Sequence, residues 1–516
     1  MNKHLFTGAL ALGIVPQLMA QQAEMPNIVF ILVDDLGYGD LTCVNENGKI
    51  KTPHIDSLSE DGVTFVDAHS SSAVSSPSRY GILTGRYNWR SWKKKGALWM
   101  HDQPMIQADR TTMASMLRTQ GYQTACIGKW HLGMYHPTTD GGFPTDTETE
   151  YNLDYTKEIK GGPCDVGFDY YFGVDAPNFP PYCFIENRKT VGIPSHYLKK
   201  NFVFDCREGR AIEGWDVEND LPAVTERASR YIGEASKQGK PFFLYLPLTS
   251  PHTPIAPTDE FMGSSQLNKY ADFVKQTDAS VGQVLKALKD NGLEKNTIVV
   301  FTSDNGCSPV ADYKFLGSKG HDPSYIFRGT KSDLFEGGHH IPCLVKWPAK
   351  VKPHTVKQTI CLTDFMATFA ALSGYKLADN EAEDSYNLMP LLASKKEVAP
   401  LRDFTVHHSV DGSFAIRQGK WKLLTINHSG GWSAPSPKNG GKVPFQLYDM
   451  EKDPEETVNL YESYPEKAEE LRKLLVKCIK DGRSTAGVPQ KNDEPKVTNQ
   501  YENQKEWYQL DKSWFY

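Results

Sequence analysis

The sequence lacks any long apolar run beyond its first residues, and it lacks an excess of positive charge. Residues 5–18 are mostly apolar but too few to span a bilayer, and Lys3 before them and Ala20 after them complete the pattern of a secretory signal. We therefore expect residues 1–20 to be a signal peptide. The mature protein should be exported, periplasmic or secreted, with no membrane span.

Without that segment the chain carries 56 basic and 63 acidic residues, a net charge of −7. A chain with this balance has no general attraction for nucleic acid, which excludes a nucleic-acid partner. An anionic substrate would have to be held by a few positive groups gathered in one pocket.

Cysteine is also scarce, with nine residues in 516 and no CxxC pair. This scatter argues against a cysteine-ligated zinc site and against a dense disulfide framework. One or two disulfides remain open, and the odd number leaves at least one cysteine outside any intramolecular pair.

Four segments share one pattern, in which a short apolar run is followed at once by polar residues. The runs are NIVFILV, TACIG, PFFLYLPL and TIVVFT, and the polar residues after them include Asp34, Lys129, His252 and Asp304. Continuous apolar strands that alternate with helical stretches predict a mostly parallel sheet sandwiched by helices. Ligands bind such sheets beyond the carboxyl ends of the strands, so these polar residues should converge on one site.

Helices are predicted at 111–120, 223–238, 266–291 and 363–373. After about residue 400 the pattern changes to short, turn-punctuated strands at 404–408, 413–418, 421–424 and 445–449, followed by a helix at 465–480. We expect an α/β fold with a catalytic domain at 21–400, and a small α+β domain with an antiparallel sheet at 401–516.

Residues 75–86 read Ser-Ser-Pro-Ser-Arg-Tyr-Gly-Ile-Leu-Thr-Gly-Arg. Ser75 or Ser76 is a suitable helix cap, with Pro77 in the first turn and Gly85 just past the end. Backbone N–H groups at such a helix N-terminus favour a bound anion near residue 75. By the cap pattern alone, a purely structural helix is the preferred interpretation.

This stretch resembles the signature of formylglycine-dependent sulfatases, in the alkaline-phosphatase-like superfamily, at every specified position. In that family the first residue is oxidised to formylglycine (3-oxoalanine), an aldehyde that hydrates to a gem-diol. With Ser75 in that place, the protein is similar to the Ser-type bacterial members, which a radical maturing enzyme converts. Gly-Lys-Trp-His-Leu-Gly at 128–133 is similar to the family's second signature.

The resemblance also implies a calcium ion. Asp34, Asp35, Asp304 and Asn305 match the family's ligands, together with residue 75. Taken singly, such acidic turns are more often structural. Two of them at one sheet edge offer the oxygen donors that calcium prefers.

The resemblance further implies the catalytic roles. Arg79 orients the formylglycine and neutralises charge, Lys129 contacts the sulfate, and His131 is the base that deprotonates the gem-diol. His252 and Lys331 contact the sulfate and the bridging oxygen on the leaving-group side. Asp40, in the same loop as Asp34, is interpreted as structural.

Other polar residues have weaker claims. The chain departs from the family pattern at His340, where arginine is usual, and neither His339 nor His340 is assigned to catalysis. His69 is expected to be a core or supporting histidine. The lysine run in Trp92-Lys93-Lys94-Lys95 could guide a polyanionic glycan, but a solvated face is the preferred interpretation.

We therefore expect an exported, monomeric sulfatase that acts on sulfate esters of carbohydrates. O-sulfated galactose or N-acetylgalactosamine units of glycans are the expected substrates, and Asp175 in the loop 173–178 is a candidate sugar contact, although a plain turn fits equally well. Two alternatives stay open: a phosphodiester or phosphonate hydrolase using the same site, and a catalytically silent protein that binds sulfated glycans.

Overall fold

The first strand, β1 (Asn27–Val33), explains the architecture of the larger part of the molecule. The computed structural model describes residues 25–200, 205–396 and 398–495. Along β1, Ile28, Phe30 and Leu32 pack into one apolar core, and the residues between them pack into a second core on the opposite face. A strand buried on both faces needs a continuous apolar run, which is what the sequence shows.

Strand β1 lies in the middle of a ten-stranded mixed sheet. In chain order the strands of the structure are β1, β2 (Val63–Phe65), β3 (Ala68–His69), β4 (Gln123–Lys129), β5 (Tyr170–Val174), β6 (Ile185–Glu186), β7 (Lys189–Thr190), β8 (His196–Leu198), β9 (Gly209–Ala211), β10 (Phe242–Pro247), β11 (Thr297–Ser303), β12 (Cys343–Lys346), β13 (His354–Val356), β14 (Ile360–Cys361), β15 (Thr405–His408), β16 (Phe414–Gln418), β17 (Trp421–Leu424) and β18 (Gln446–Asp449). The order across the large sheet is β13-β2-β12-β11-β1-β10-β4-β5-β6-β7.

The five central strands β11, β1, β10, β4 and β5 are mutually parallel, so their carboxyl ends share one edge. Backbone bonding continues past the strands at that edge. The N–H of Asp34 donates to the carbonyl of Ser250 (2.9 Å), and the N–H of Asp304 donates to the carbonyl of Val33 (3.1 Å). The predicted convergence of the polar strand ends is confirmed.

Helices cover both faces of this sheet. In chain order the α-helices of the described residues are α1 (Pro53–Glu60), α2 (Ser75–Thr84), α3 (Met113–Thr119), α4 (Asp220–Ser236), α5 (Lys269–Asp290), α6 (Tyr313–Ser318), α7 (Glu336–His339), α8 (Asp364–Ser373), α9 (Met389–Ala393) and α10 (Pro465–Asp481). Side chains of α2, α3 and α8 belong to the core on one face, and those of α1, α4 and α5 to the core on the other. The predicted helices at 111–120, 223–238, 266–291 and 363–373 are confirmed within three residues at each end.

The C-terminal part forms a separate four-stranded antiparallel sheet, β15-β16-β17-β18, with α10 packed against it. This sheet is buried on both faces: Ile416 and Leu423 share a core with the helix, whereas Ala415 and Leu424 share another with Leu334 of the catalytic part. The predicted α/β fold with a small antiparallel C-terminal sheet is confirmed. The boundary between domains at residue 400 stays a prediction, and the predicted signal peptide lies outside the described residues.

The lysine run contradicts its prediction. Lys93 and Lys94 are buried, not solvated. The ammonium group of Lys94 donates to the carbonyl of Trp89 (3.0 Å), and burial lowers the pKa of Lys94 to about 7. The run is therefore part of the packed structure. None of the nine cysteines, all of them in the described ranges, forms a disulfide.

No helix among the described residues is both long and apolar enough to cross a bilayer.

Gly128, just before Lys129 at the end of β4, provides a test of the sheet edge. Its φ is +131°, and a Cβ there would lie 1.9 Å from the carbonyl oxygen of Pro247 on β10. We predict that Gly128→Ala lowers the free energy of unfolding by about 1–3 kcal/mol through overpacking, in addition to the cost of the positive φ. Thermal denaturation measures the loss.

Gly239→Ala is the matched control, because Gly239 also has a positive φ (+65°) but nothing within 4 Å of its Cβ position. Equal losses in the two variants would show that the strands at this edge tolerate separation.

Candidate active site

Ser75 is the first residue of α2, and its side chain does not cap that helix. The N-cap is Val74, with no side-chain capping bond. The Ser75 hydroxyl instead lies 3.2 Å from Oδ1 of Asp34 and 3.4 Å from Oδ1 of Asn305. The predicted serine cap is therefore wrong, because the hydroxyl turns away from the helix toward the oxygen donors at the sheet edge. Gly85 lies just past the helix end, as predicted, and the structure adds that it adopts a left-handed conformation (φ +62°).

The four predicted metal ligands surround this hydroxyl. Asp34 and Asp35 follow β1, and Asp304 and Asn305 follow β11; all four are buried. Oδ1 of Asp304 accepts the backbone N–H of Asp35 (3.2 Å), and Nδ2 of Asn305 donates to Oδ1 of Asp35 (2.7 Å). Asp35 adopts φ +65°, which turns its side chain back toward Asp34.

This donor set fits calcium. Three carboxylates and an amide, all bearing oxygen, meet beside one hydroxyl, and hard oxygen ligands are those that calcium prefers. A carboxylate oxygen of Asp34, a carboxylate oxygen of Asp35 and a ring nitrogen of His252 also lie within 4.8 Å of one another, close enough to bind one metal ion together.

Three cations balance the carboxylates. Arg79 on α2 donates to Oδ2 of Asp304 through Nε (3.1 Å) and a terminal nitrogen (2.8 Å). The ammonium of Lys129 lies 2.6 Å from Oδ2 of Asp34, and that of Lys331 lies 2.8 Å from Oδ2 of Asp35. Such charges are stable inside a protein only when each is paired and hydrogen-bonded.

Burial and pairing together shift the pKa values of Asp34, Lys129 and Lys331. Burial raises the pKa of the Asp34 carboxyl, but Lys129, His252 and Arg79 lower it by more, and the net pKa lies well below its usual range. Burial lowers the pKa of Lys129, against the attraction of Asp34. Burial likewise lowers the pKa of Lys331, but Asp35 and Asp34 raise it by more, so the net shift is upward.

His131 follows β4 and has a defined orientation. Its Nε2 lies 3.0 Å from the carbonyl oxygen of Leu98, whereas no described residue bonds to its buried Nδ1. A carbonyl can only accept, so Nε2 carries the proton and Nδ1 has a free lone pair. Burial and the nearby Lys129 hold the pKa of His131 well below its ordinary value. The ring is thus neutral at pH 7 and able to accept a proton.

His252 lies in the segment after β10, and its Nε2 is 3.8 Å from Oδ2 of Asp35. Its Nδ1 contacts the carbonyl oxygen of Thr253 at 2.5 Å, so Nδ1 is the protonated nitrogen. Burial lowers the pKa of His252, against the attraction of Asp34. The structure thus brings Arg79, Lys129, His252 and Lys331 around the same carboxylates.

Asp175 lies in the loop after β5, and its backbone carbonyl accepts the N–H of His131 (2.9 Å). No described residue bonds to its buried Oδ1, and burial, opposed by Lys129, raises the pKa of Asp175 to about 6. An unpartnered carboxylate beside His131 supports the interpretation of Asp175 as a ligand contact over that of a plain turn.

Several residues near the site support its structure without belonging to it. Asp40 accepts hydrogen bonds from the Gly37 N–H and the Tyr270 hydroxyl, which agrees with its predicted structural role. His69 is fully buried, as expected. The sequence did not reveal that Leu98 would orient His131 or that Phe179 would pack on its ring at 5.9 Å, since no local pattern marks either contact.

Comparisons with known proteins agree with this geometry. The sulfatase family profile matches residues 26–375, and the profile of the N-sulphoglucosamine sulphohydrolase C-terminal region matches residues 330–484. An N-acetylgalactosamine-6-O-sulfatase of Bacteroides thetaiotaomicron is 34% identical over 502 residues, covering 88% of this chain and 93% of the relative. Human arylsulfatase A is 30% identical over 490 residues, covering 91% and 90% of the two chains.

A solved structure from work on the metabolism of multiple glycosaminoglycans by Bacteroides thetaiotaomicron has a TM-score of 0.75 and 30% identity, covering 88% of this chain and 98% of that one. The sheet and the charged groups at its carboxyl edge define a hydrolase with the alkaline-phosphatase-like architecture. The chain belongs to the sulfatase family and is a sulfuric ester hydrolase.

The buried pair of Lys129 and Asp34 generates a prediction about pH. Lys129→Met leaves Asp34 without its nearest cation, so we expect a loss of about 3–5 kcal/mol in the free energy of unfolding at pH 7. The pKa of Asp34 is lower in the folded protein than in the unfolded chain, where it is ~3.9, so this group stabilises the wild type at any pH above ~3.9. That contribution disappears as the pH falls through the pKa of the folded state. In the variant Asp34 protonates at higher pH, so the loss should shrink between pH 7 and about pH 5. Unfolding experiments at both pH values measure it.

Lys346→Met is the control, since Lys346 also forms an ion pair at 2.9 Å, but with Asp61, whose side chain is 59% exposed. This variant should lose less than about 1 kcal/mol at either pH. A loss in Lys129→Met that grows toward acid pH would contradict the assignment.

Proposed function

We propose that the protein is an exported carbohydrate sulfatase that removes 6-O-sulfate from N-acetylgalactosamine or galactose units of glycans. The observation that carries the proposal is the buried set of cations and carboxylates around Ser75. The substrate class is supported by the near full-length similarity to an N-acetylgalactosamine-6-O-sulfatase. The overall reaction consumes one water and releases the sugar alcohol and sulfate.

In this proposal a Ser-type radical maturing enzyme oxidises Ser75 to formylglycine. Formylglycine, when hydrated, supplies the oxygen nucleophile that attacks sulfur. The position of Ser75 supports this role, because its Oγ lies at the N-terminus of α2 and within 3.4 Å of two oxygen ligands. Backbone N–H groups at that helix end favour negative charge on the nucleophile and on the sulfate.

Asp34, Asp35, Asp304 and Asn305 would hold calcium together with residue 75. The ion would supply Lewis-acid polarisation of the nucleophile and of the sulfate oxygens. Arg79, already bound to Asp304, holds that carboxylate at the site.

Lys129 and Lys331 bind the sulfate in this proposal. The ammonium of Lys129 pairs with Asp34 and that of Lys331 pairs with the adjacent Asp35. Both cations therefore lie beside this pair of neighbouring carboxylates. Preorganised cations stabilise the charge that develops on a tetrahedral sulfate more than they stabilise the ground state.

The two histidines divide the proton transfers. His131, neutral and with a free Nδ1, accepts the proton from the hydroxyl of residue 75 that drives sulfate release. His252 donates a proton to the departing sugar oxygen through Nε2, which lies 3.8 Å from Oδ2 of Asp35. Because Nδ1 already carries the proton that bonds the carbonyl of Thr253, this step needs a second proton on Nε2, and the nearby carboxylates of Asp34 and Asp35 favour that doubly protonated ring. Asp175 is proposed to accept hydrogen bonds from sugar hydroxyls.

The proposal predicts the behaviour of Ser75. Protein matured in a suitable host should carry a tryptic Ser75 peptide about 2 Da lighter than serine predicts. It should release sulfate from N-acetylgalactosamine 6-sulfate and galactose 6-sulfate about 10²-fold faster than from 4-sulfated or gluco-configured isomers, because a site built to bind particular hydroxyl groups discriminates against sugars that place them elsewhere. Assays on position-defined sugar sulfates measure the rates.

Protein with the same sequence from a host without the maturing enzyme is the matched control and should be inactive, as should Ser75→Ala. Turnover by either would refute the nucleophile assignment. Matured protein that acts equally on all isomers would refute the substrate assignment alone.

A second prediction concerns His252. His252→Ala should lower kcat/KM for a sugar sulfate by about 10²–10³-fold, because general acid assistance is lost, and should lower it much less for an aryl sulfate whose leaving oxygen needs little protonation. His196→Ala, at an exposed histidine, should change neither value. Equal losses on both substrates would place His252 in sulfate binding instead of proton transfer.

A further inference from the structure

Three buried histidines, His69, His339 and His407, form a cluster outside the active site. His69 ends β3, His339 ends α7, and His407 lies in β15, so the cluster joins the catalytic part of the molecule to the C-terminal sheet. All three side chains are fully buried, and one nitrogen from each lies within 4.8 Å of the others. We call this the histidine cluster.

The hydrogen bonds of the cluster allow a tautomer in which two lone pairs face each other. Nδ1 of His69 faces Nδ1 of His339 at 3.0 Å. Nε2 of His69 faces Oδ1 of Asp67 at 2.7 Å. Nε2 of His339 either donates to the carbonyl oxygen of Leu334 (3.1 Å) or accepts from the ammonium of Lys422 (3.2 Å). When both Nε2 atoms carry protons, the two Nδ1 lone pairs point at each other and are available to one cation.

The outer contacts are those of metal ligands. A histidine that binds a metal through one nitrogen usually donates the other N–H to a carboxylate or a backbone carbonyl, which sets the tautomer. His69 and His339 do this through Asp67 and Leu334. Two imidazole nitrogens bound tetrahedrally to one zinc at ~2.05 Å lie ~3.3 Å apart, so the observed pair needs to open by only a few tenths of an ångström.

His407 supplies the second, independent observation. It is fully buried, and no described residue bonds to either of its ring nitrogens. Its ring stacks on that of His339 with centroids 3.9 Å apart and planes 9° apart. It therefore reaches the shared point only when its ring turns out of the stack, a rotation that breaks no hydrogen bond.

Charged groups on all sides offset one another. Asp67 pairs with Arg417 (2.8 Å), and Glu336 pairs with Lys422 (2.9 Å) and His340 (2.8 Å). Lys422 also contacts Glu456 (2.8 Å), and its ammonium lies 3.2 Å from Nε2 of His339. Three carboxylates face one lysine and one arginine, but burial raises the pKa of Glu456 to about 7, so the surrounding is close to neutral.

We propose that the histidine cluster binds a divalent transition-metal ion, with zinc as the probe, through Nδ1 of His69, Nδ1 of His339 and a ring nitrogen of His407. Imidazole suits zinc, whereas the oxygen donors beside Ser75 suit calcium, so the two sites select different ions. The ion would join β15 to the segment that leads from His69 to Ser75. This site is independent of the proposed sulfatase mechanism.

The test uses full-length protein without a histidine tag, stripped with a chelator. Zn²⁺ at a free concentration about 100 times its Kd should raise the Tm by about 3 °C. Co²⁺ in place of Zn²⁺ should give the visible absorption of nitrogen ligation. His407→Phe keeps a ring stacked on His339 but removes both nitrogens, so the Zn²⁺-dependent shift should vanish. Asp304→Ala, which removes an oxygen ligand beside Ser75, should keep it.

A Zn²⁺ response that is absent in the wild type, or equal in the wild type and His407→Phe, would overturn the proposal. X-ray absorption of the Zn²⁺-loaded wild type decides the question even if His407→Phe does not fold. Three imidazole nitrogens at about 2.0 Å are expected, and a shell of oxygen ligands would overturn the assignment.

Discussion

The buried charge pairing around Ser75 is the interaction on which the rest of the site depends. Asp34, Lys129 and Arg79 are all fully buried, where an isolated charge would be strongly disfavoured. Each is stable there only because an opposite charge lies within about 3.5 Å, so no one of them can be placed without the others. The same constraint leaves the lone pair of His131 free, since a neighbouring cation keeps that ring neutral.

The sheet supplies the geometry that this pairing requires. Strands β11, β1, β10 and β4 run in parallel, and their carboxyl ends deliver Asp304, Asp34, His252 and Lys129 to one edge. Arg79 comes from α2, whose N-terminus presents Ser75 to the same edge. Close approach of the strands is essential there, which is why Gly128 has no room for a side chain.

The C-terminal sheet is joined to the catalytic part by a second polar network. Lys422 of β17 reaches Glu336 of α7, and Arg417 of β16 reaches Asp67. His340 occupies a position where the family commonly has arginine, and it bonds both Glu336 and the carbonyl of Val66. The departure from the family pattern is thus accommodated by a histidine that uses both ring nitrogens, and it belongs to this interface instead of to the active site.

The sequence by itself determined the class of fold, four helices of the catalytic part within three residues at each end, and the convergence of Asp34, Lys129, His252 and Asp304. These follow from local patterns: apolar runs buried on both faces, and polar residues directly after them. The tertiary structure alone decided that Ser75 begins its helix without capping it, that Lys93 and Lys94 are buried, and that His69, His339 and His407 meet. Each of these depends on partners far away in the chain, and no pattern of neighbouring residues records which distant group a hydroxyl, an ammonium or an imidazole will face.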